Sequence, residues 1–410
     1  MRHEDSSTHL LAVKNQLGGL TFLDFTNENF VSAHGRLGAQ VRQQVHKILR
    51  GRLDRLSAAD FEGKVRQGRA CHAILRKQAA NTRLAAALRQ ALDEYLACLE
   101  VWSQGAQIVA FEHPHLAGCQ VDGQPVGELD LALLLQHDSS GCQTGMYRQA
   151  DGSVTLWHSE EDNSPPGERF DQLRIATFGL PQGGHNVRLS AFIYPDLLPG
   201  SAFAWRSDGY AQAVDTLLLK SQPALNSGTL ANVASWVALR LGDQVGALEV
   251  LQALLPYWDG YALNVVTSGE GVVRASKYEF AADRLLQGHL DEQPGSYLFQ
   301  VNIFSQRQDA SLLALENLPQ DERCSYEQRM ARTQQALQRG QADGKDGSLG
   351  FFFNLLASRS GGEWAYANPD VKAYFVDRVS PDEMEIWLGP GPALRGEKPL
   401  VLESPTEEAV

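Results

Sequence analysis

The stretch HDSSGCQTGMYRQADGSVTLWHSEED, residues 137–162, decides how this chain is read. It places Cys142 directly after Gly141, follows with two strand-forming runs around Ala150-Asp151-Gly152, and ends in a histidine and a knot of acids. CQTGMYRQ and SVTLWHS on either side of an Asp-Gly turn form a hairpin pattern. A cysteine buried only for packing needs none of this punctuation. A thiol at a strand start becomes a nucleophile once a base removes its proton. One solution makes the cysteine the first residue of a new chain. It attacks the carbonyl before it, releases the upstream segment, and then uses its own α-amino group, with a pKa of about 7.7–8.0, as the base. Glycine before the cysteine leaves the attack unhindered and tolerates a strained backbone.

The rest of the chain bounds this reading. Its 410 residues are 43% hydrophobic and 21% charged, an ordinary globular balance able to bury a full core without disulfides. A formal net charge of −13 argues against a nucleic-acid partner, since phosphate binding needs a basic face. The five cysteines are widely spaced, with no CxxC pair, which points to a reducing compartment. The N-terminus has no signal-like apolar core, and no stretch approaches 18 uncharged apolar residues. A cytoplasmic protein without a membrane partner is expected. Oligomeric state is left open.

Apolar residues at Leu37, Val41, Val45, Ile48 and Leu53, and again at Leu84, Leu88, Leu92, Leu96 and Leu99, keep to one helix face. Asn81 or Thr82 is the expected cap of the second helix. After Cys142 the texture turns to strand pairs around PQGGHN, SDG and GEG, with two helices between residues 230 and 255. A further helix is expected at 326–338, and KAYFVDR with MEIWLG closes the chain as a strand pair. This order predicts an α+β fold of two sheets with helices outside. Residues 1–141 form a helical N-terminal segment and residues 142–410 the catalytic segment.

Several stretches, taken together and in order, resemble the isopenicillin-N acyltransferase-like cysteine hydrolases. GCQTGMYRQADGSVTLWHSEED is similar to that family's Gly-Cys-Thr strand start, its Asp-Gly turn about ten residues on, and its closing His-Asn-Glu-Asp motif. PGSAFAWRSDGYAQAVDTL (199–217), VASWVALR (233–240), YALNVVTSGEGVVRASKYE (261–279) and YLFQVNIF (297–304) follow in family order, after the glycine-bearing SAHGRLGAQVRQQVHKIL (32–49). The resemblance implies a four-layer αββα N-terminal-nucleophile hydrolase that cuts itself between Gly141 and Cys142 and keeps both pieces. It implies a small amide or acyl substrate, hydrolysed or transferred. It implies no cofactor, coenzyme A being the acyl carrier open to such a reaction. Cys142 is the implied nucleophile, Glu161 the acid that holds the new N-terminus or its proton network, and His158, Arg240 and Asn264 the substrate-binding residues.

The chain also departs from the pattern. Asp215 stands where the family often has an asparagine that donates to the oxyanion, and an ionised aspartate cannot donate. Asn302 keeps its match and is the expected substitute donor. Gln143 replaces a threonine, while Gln300 and Ile303 replace two histidines. These departures support an alternative, a non-catalytic member of the same fold that binds a small molecule or a protein. A metal reading of His113, His115, His158, Glu160, Glu161 and Asp162 lacks ligand spacing on a common element, so no metal is expected. No GxGxxG, GxxxxGK[ST] or GxSxG motif occurs.

Overall fold

The computed structural model describes residues 10–15, 20–136, 142–161, 173–182, 185–217, 219, 227–302, 331, 333–339, 351–352, 359–360, 363–364 and 371–390. Strands β1 (Leu10–Asn15) and β2 (Leu20–Phe25) come first. Helices α1 (Phe30–Arg55), α2 (Ala58–Ala79) and α3 (Ala86–Gly105) follow, then a small ladder of β3 (Gln120–Val121) and β4 (Gln124–Pro125), then α4 (Glu128–Leu135). The hairpin around the Asp-Gly turn is β5 (Cys142–Arg148) and β6 (Val154–Glu161). Beyond it lie β7 (Leu173–Gln182), β8 (His185–Phe192), β9 (Ala204–Arg206) and β10 (Tyr210–Leu217). Helices α5 (Ala231–Leu241) and α6 (Ala247–Ala253) precede β11 (Tyr257–Gly269), β12 (Val272–Ala282), β13 (Arg284–His289) and β14 (Tyr297–Val301). The chain ends with a short pair, β15 (Arg359–Ser360) and β16 (Glu363–Trp364), and with β17 (Val371–Val379) and β18 (Glu383–Pro390).

The architecture is mixed α+β, built on two main sheets. One runs β1-β18-β17-β6-β5-β14, the other β13-β12-β11-β10-β9-β8-β7-β2. They face each other across a shared apolar core in which Met146, Leu156 and Phe375 of the first meet Trp205, Ala213 and Val266 of the second. Phe203 stacks on Phe375 with ring centroids 4.7 Å apart. The outer face of the eight-stranded sheet is covered by α1–α6, which share a core with Phe178, Leu189, Val214 and Leu263. On the outer face of the six-stranded sheet, Leu337 of the helical residues 333–339 and Phe352 join Tyr147, Trp157 and Tyr374.

The N-terminal segment is not helical throughout. β1 pairs in parallel with β18 in one sheet, and β2 pairs in parallel with β7 in the other. Both strands are edges. Helical periodicity has nothing to say about them, because their partners lie some 150 to 370 positions further along the chain.

Local chemistry accounts for the starts of α1 and α2. Asn29 caps α1, its side chain accepting from the Val31 and Ser32 amides, and the Ser57 hydroxyl accepts from the Asp60 amide at the start of α2. The expected cap of α3 is corrected. Ala85 precedes the helix without a side-chain bond, and the Asn81 carboxamide instead closes the preceding turn onto the Arg83 amide. Helices α1 and α3 cross in close contact. A Cβ on Gly38 would land on the Trp102 carbonyl, and one on Gly105 on the Gly35 carbonyl. Those glycines are fixed by space rather than by flexibility. At the β5–β6 turn, Gly152 has φ +82°, which a side chain would strain, and Asp151 accepts from the Ser153 amide. The helix expected at 326–338 is present at 331 and 333–339; the rest of that range lies outside the described residues.

Candidate functional site

Cys142 is the first residue of β5, and the ladder sets it directly across from Glu160, with Thr144 across from His158. Strand alternation therefore puts all four side chains on one face, the face turned toward the second sheet. Asp215 on β10 and Asn264 on β11 come from that second sheet, and Asn302 follows β14. Every one of these residues is almost fully buried.

The hydrogen bonds form a connected set. The Cys142 thiol donates to Glu160 Oε1 at 3.2 Å. Tyr194 donates its hydroxyl to the same oxygen. His158 Nε2 lies 2.8 Å from Glu160 Oε2, and His158 Nδ1 lies 2.8 Å from Thr144 Oγ1. Thr144 Oγ1 is 2.9 Å from Asp215 Oδ1, and the Asn264 amide donates to Asp215 Oδ2 at 2.9 Å. Asn302 Oδ1 accepts the Cys142 backbone N–H at 3.2 Å, and its amide donates to the Thr216 carbonyl at 2.8 Å. Beside this set, Lys277 pairs with Glu279 at 3.1 Å and donates to Gln300 Oε1 at 3.2 Å.

Burial dominates the electrostatics. It pushes the Cys142 thiol well above its ordinary range, and the charges of Glu160, Asp215 and Glu161 push the same way. The thiol is thus a protonated donor here. Burial pulls His158 down to about 4 against the opposing pull of Asp215 and Glu161, so the ring is neutral. Burial also raises Asp215 to about 7, opposed by His158 and by the bonds from Thr144 and Asn264.

Of the residues singled out from sequence, Cys142, His158, Asp215, Asn264 and Asn302 are brought together. Glu161 is not among the residues hydrogen-bonded to Cys142. It is one step past Glu160, on the strand face of Trp157, and reaches the thiol through its field. Asn302 accepts the Cys142 backbone N–H through Oδ1 and spends one of its two amide hydrogens on the Thr216 carbonyl. Arg240 is elsewhere. It binds Glu94 of α3 at 2.6 Å and sits over the Phe30 ring. Gly141, Asp162 and Ile303 lie outside the described residues.

Thr144, Glu160 and Tyr194 were not assigned to the site from sequence. For the first two a signal exists: each is two positions from a site residue on a strand, hence on the same face. Tyr194 follows β8 and offers no such signal.

Cys142, His158 and Glu160 also place a sulfur, a ring nitrogen and a carboxylate oxygen within 4.8 Å of one another, a donor set suited to zinc. Those atoms are hydrogen-bonded to each other. His113 is not part of this group; its ring bonds Asp54 at 3.0 Å. Among the described residues no helix is long and apolar enough to cross a membrane. No family model matches the chain, and no curated protein matches it.

Proposed function

We propose that the chain is a self-processing cysteine amidohydrolase or N-acyltransferase of the N-terminal-nucleophile type, with Cys142 as its nucleophile. The observation that carries this reading is the position of Cys142. It opens a strand of one sheet, faces the other, has its thiol on a glutamate–histidine pair, and has its amide held by Asn302. The two facing sheets, with helices packed on both outer faces, support the αββα reading.

In the precursor, Sγ loses its proton to Glu160 and attacks the Gly141 carbonyl carbon. The Gly141–Cys142 C–N bond breaks, the departing Cys142 nitrogen takes up a proton, and a thioester remains. Water then cleaves the thioester, leaving a Gly141 carboxylate and a free thiol. In the mature enzyme the freed α-amine takes the thiol proton, Sγ attacks the substrate amide carbon, and the amine product leaves with that proton. Water or an acceptor amine resolves the acyl-thioester, and coenzyme A thioesters are alternative acyl donors. The N-terminal segment stays bound after the cut, because β1 and β2 complete one sheet each.

The test is an intact-mass measurement on freshly purified protein. The 45.0 kDa chain should resolve into residues 1–141 and 142–410 that coelute on gel filtration, and Cys142→Ala should remain whole. A wild-type chain that stays whole and shows no Cys142-dependent amidase activity favours the alternative, a non-catalytic binding protein. The buried, protonated thiol stands on that side, together with the departures at Asp215, Gln143, Gln300 and Ile303.

A further inference from the structure

Thr144 has one hydroxyl proton and two neighbours that need it accounted for, His158 Nδ1 at 2.8 Å and Asp215 Oδ1 at 2.9 Å. Placing that proton fixes the others. Suppose the hydroxyl donates to Nδ1. The neutral ring then carries its hydrogen on Nε2 and donates to Glu160 Oε2. Glu160 is a carboxylate whose Oε1 accepts from Tyr194 and Cys142, and Asp215 holds a proton that it donates to Thr144. Suppose instead the hydroxyl donates to Asp215. Nδ1 then carries the ring hydrogen, Nε2 is an acceptor, and Glu160 holds the proton. Both states contain the same number of protons. Three hops convert one into the other: Asp215 to Thr144, Thr144 to Nδ1, and Nε2 to Glu160.

We propose that Asp215, Thr144, His158 and Glu160 form a single-proton relay between the two sheets, which sets whether Glu160 is free to take the Cys142 thiol proton. This rests on Cys142 being the nucleophile. Glu160 is the catalytic residue, since it touches the reacting sulfur, and Thr144 and Asp215 are positioning residues. With Asp215 holding the proton, Glu160 Oε1 accepts the thiol hydrogen, leaving a thiolate and a neutral carboxyl group. Burial disfavours the third arrangement, an imidazolium between two carboxylates, by lowering the basicity of His158. Asp215, raised to the neutral range, is fitted to hold the proton instead. Among the described residues, the other titratable groups around the relay are Cys142 on β5, Glu161 on β6, Tyr194 after β8, and Lys277 with Glu279 on β12. The last two neutralise each other.

The experiment has two arms. The first labels histidine rings with nitrogen-15 and assigns His158 through His158→Gln. Between pH 5.5 and 6.5 the His158 ring should be neutral and protonated on Nε2, in wild type and in Asp215→Asn, whose amide is a permanent donor to Thr144. A doubly protonated ring, or a hydrogen on Nδ1 in wild type, would overturn the relay. The second arm measures the rate of self-cleavage before Cys142 against pH. Thr144→Val should slow it by about tenfold or more, with Thr144→Ser restoring it. Asp215→Asn, whose amide cannot lose the donated hydrogen, should move the high-pH limb of the profile to higher pH. Thr144→Val at the wild-type rate would also sink the proposal. The arms separate the two claims. A chain with the Nε2-protonated ring but no Cys142 chemistry retains the relay and loses the enzyme; active chains with a charged ring lose only the relay.

Discussion

Cys142 and Glu160 face each other across one rung of the β5–β6 ladder, and the thiol of the first donates to the carboxylate of the second at 3.2 Å. The acid that hydrogen-bonds the sulfur is thereby fixed by strand register. Position 160 shares the Cys142 face and position 161 does not. A shift of one residue in that register would exchange them.

Glu160→Gln should therefore slow self-cleavage before Cys142 by roughly 10²–10⁴-fold, the range for a positioned proton-transfer group. Glu161→Gln, which removes a charge without touching the sulfur, should have the smaller effect. Single-turnover rates of the two variants check this; the reverse order would mean that the acid on the outer strand face is the working one.

Asp377 supplies a test of stability against pH. It lies on β17 between Leu156 and Ile386, fully buried, and neither carboxylate oxygen has a hydrogen-bond partner among the described residues. Burial, and then Glu385, hold its pKa well above the ordinary carboxylate range. The group is raised in the folded state, so folding is favoured fully below the unfolded pKa of about 3.9. That contribution is lost as pH rises from there toward the folded value. Asp377→Asn should remove this slope, so its melting temperature should gain on wild type steadily between pH 5 and 8. Parallel melting curves would count against the unpaired, protonated state.

Arg240 is a structural residue in this fold. Its guanidinium joins α5 to Glu94 on α3. Arg240→Gln should cost about 1.5–3 kcal/mol, as for a hydrogen bond to a charged group, and leave the Michaelis constant for an amide substrate unchanged. Chemical denaturation read beside steady-state kinetics decides it. A raised Michaelis constant at unaltered stability would return Arg240 to the substrate.

Gly38 probes the α1–α3 crossing. A methyl group there meets the Trp102 backbone carbonyl, which cannot swing aside as a side chain could. Gly38→Ala should destabilise by about 1–3 kcal/mol, the usual cost of overpacking. Gly63→Ala on α2, with open space around it, should be neutral or stabilising. Urea midpoints of the two variants give the comparison.

Much of the secondary structure is legible in the sequence because it is made by near neighbours. Alternation and turn residues mark β5–β6, β11–β12 and β17–β18, and a 3.6-residue period marks α1 and α3. The caps are less legible. Asn81 carries the right side chain for a cap, yet it closes a turn and stands five positions before the first helical residue.

The sequence by itself determined that Cys142 opens a strand, that Gly141 precedes it, and that His158 shares a hairpin with it, since local turn chemistry and the two-residue period of a strand suffice for that. Only the tertiary structure decided that Asp215 from the other sheet closes on Thr144, that Tyr194 reaches Glu160, and that Arg240 turns away to Glu94. Those contacts join residues 34 to 146 positions apart. No local preference encodes them. They follow from which faces must be buried together, and burial, by raising the cost of every unpaired charge, is also what gives the cluster its chemistry.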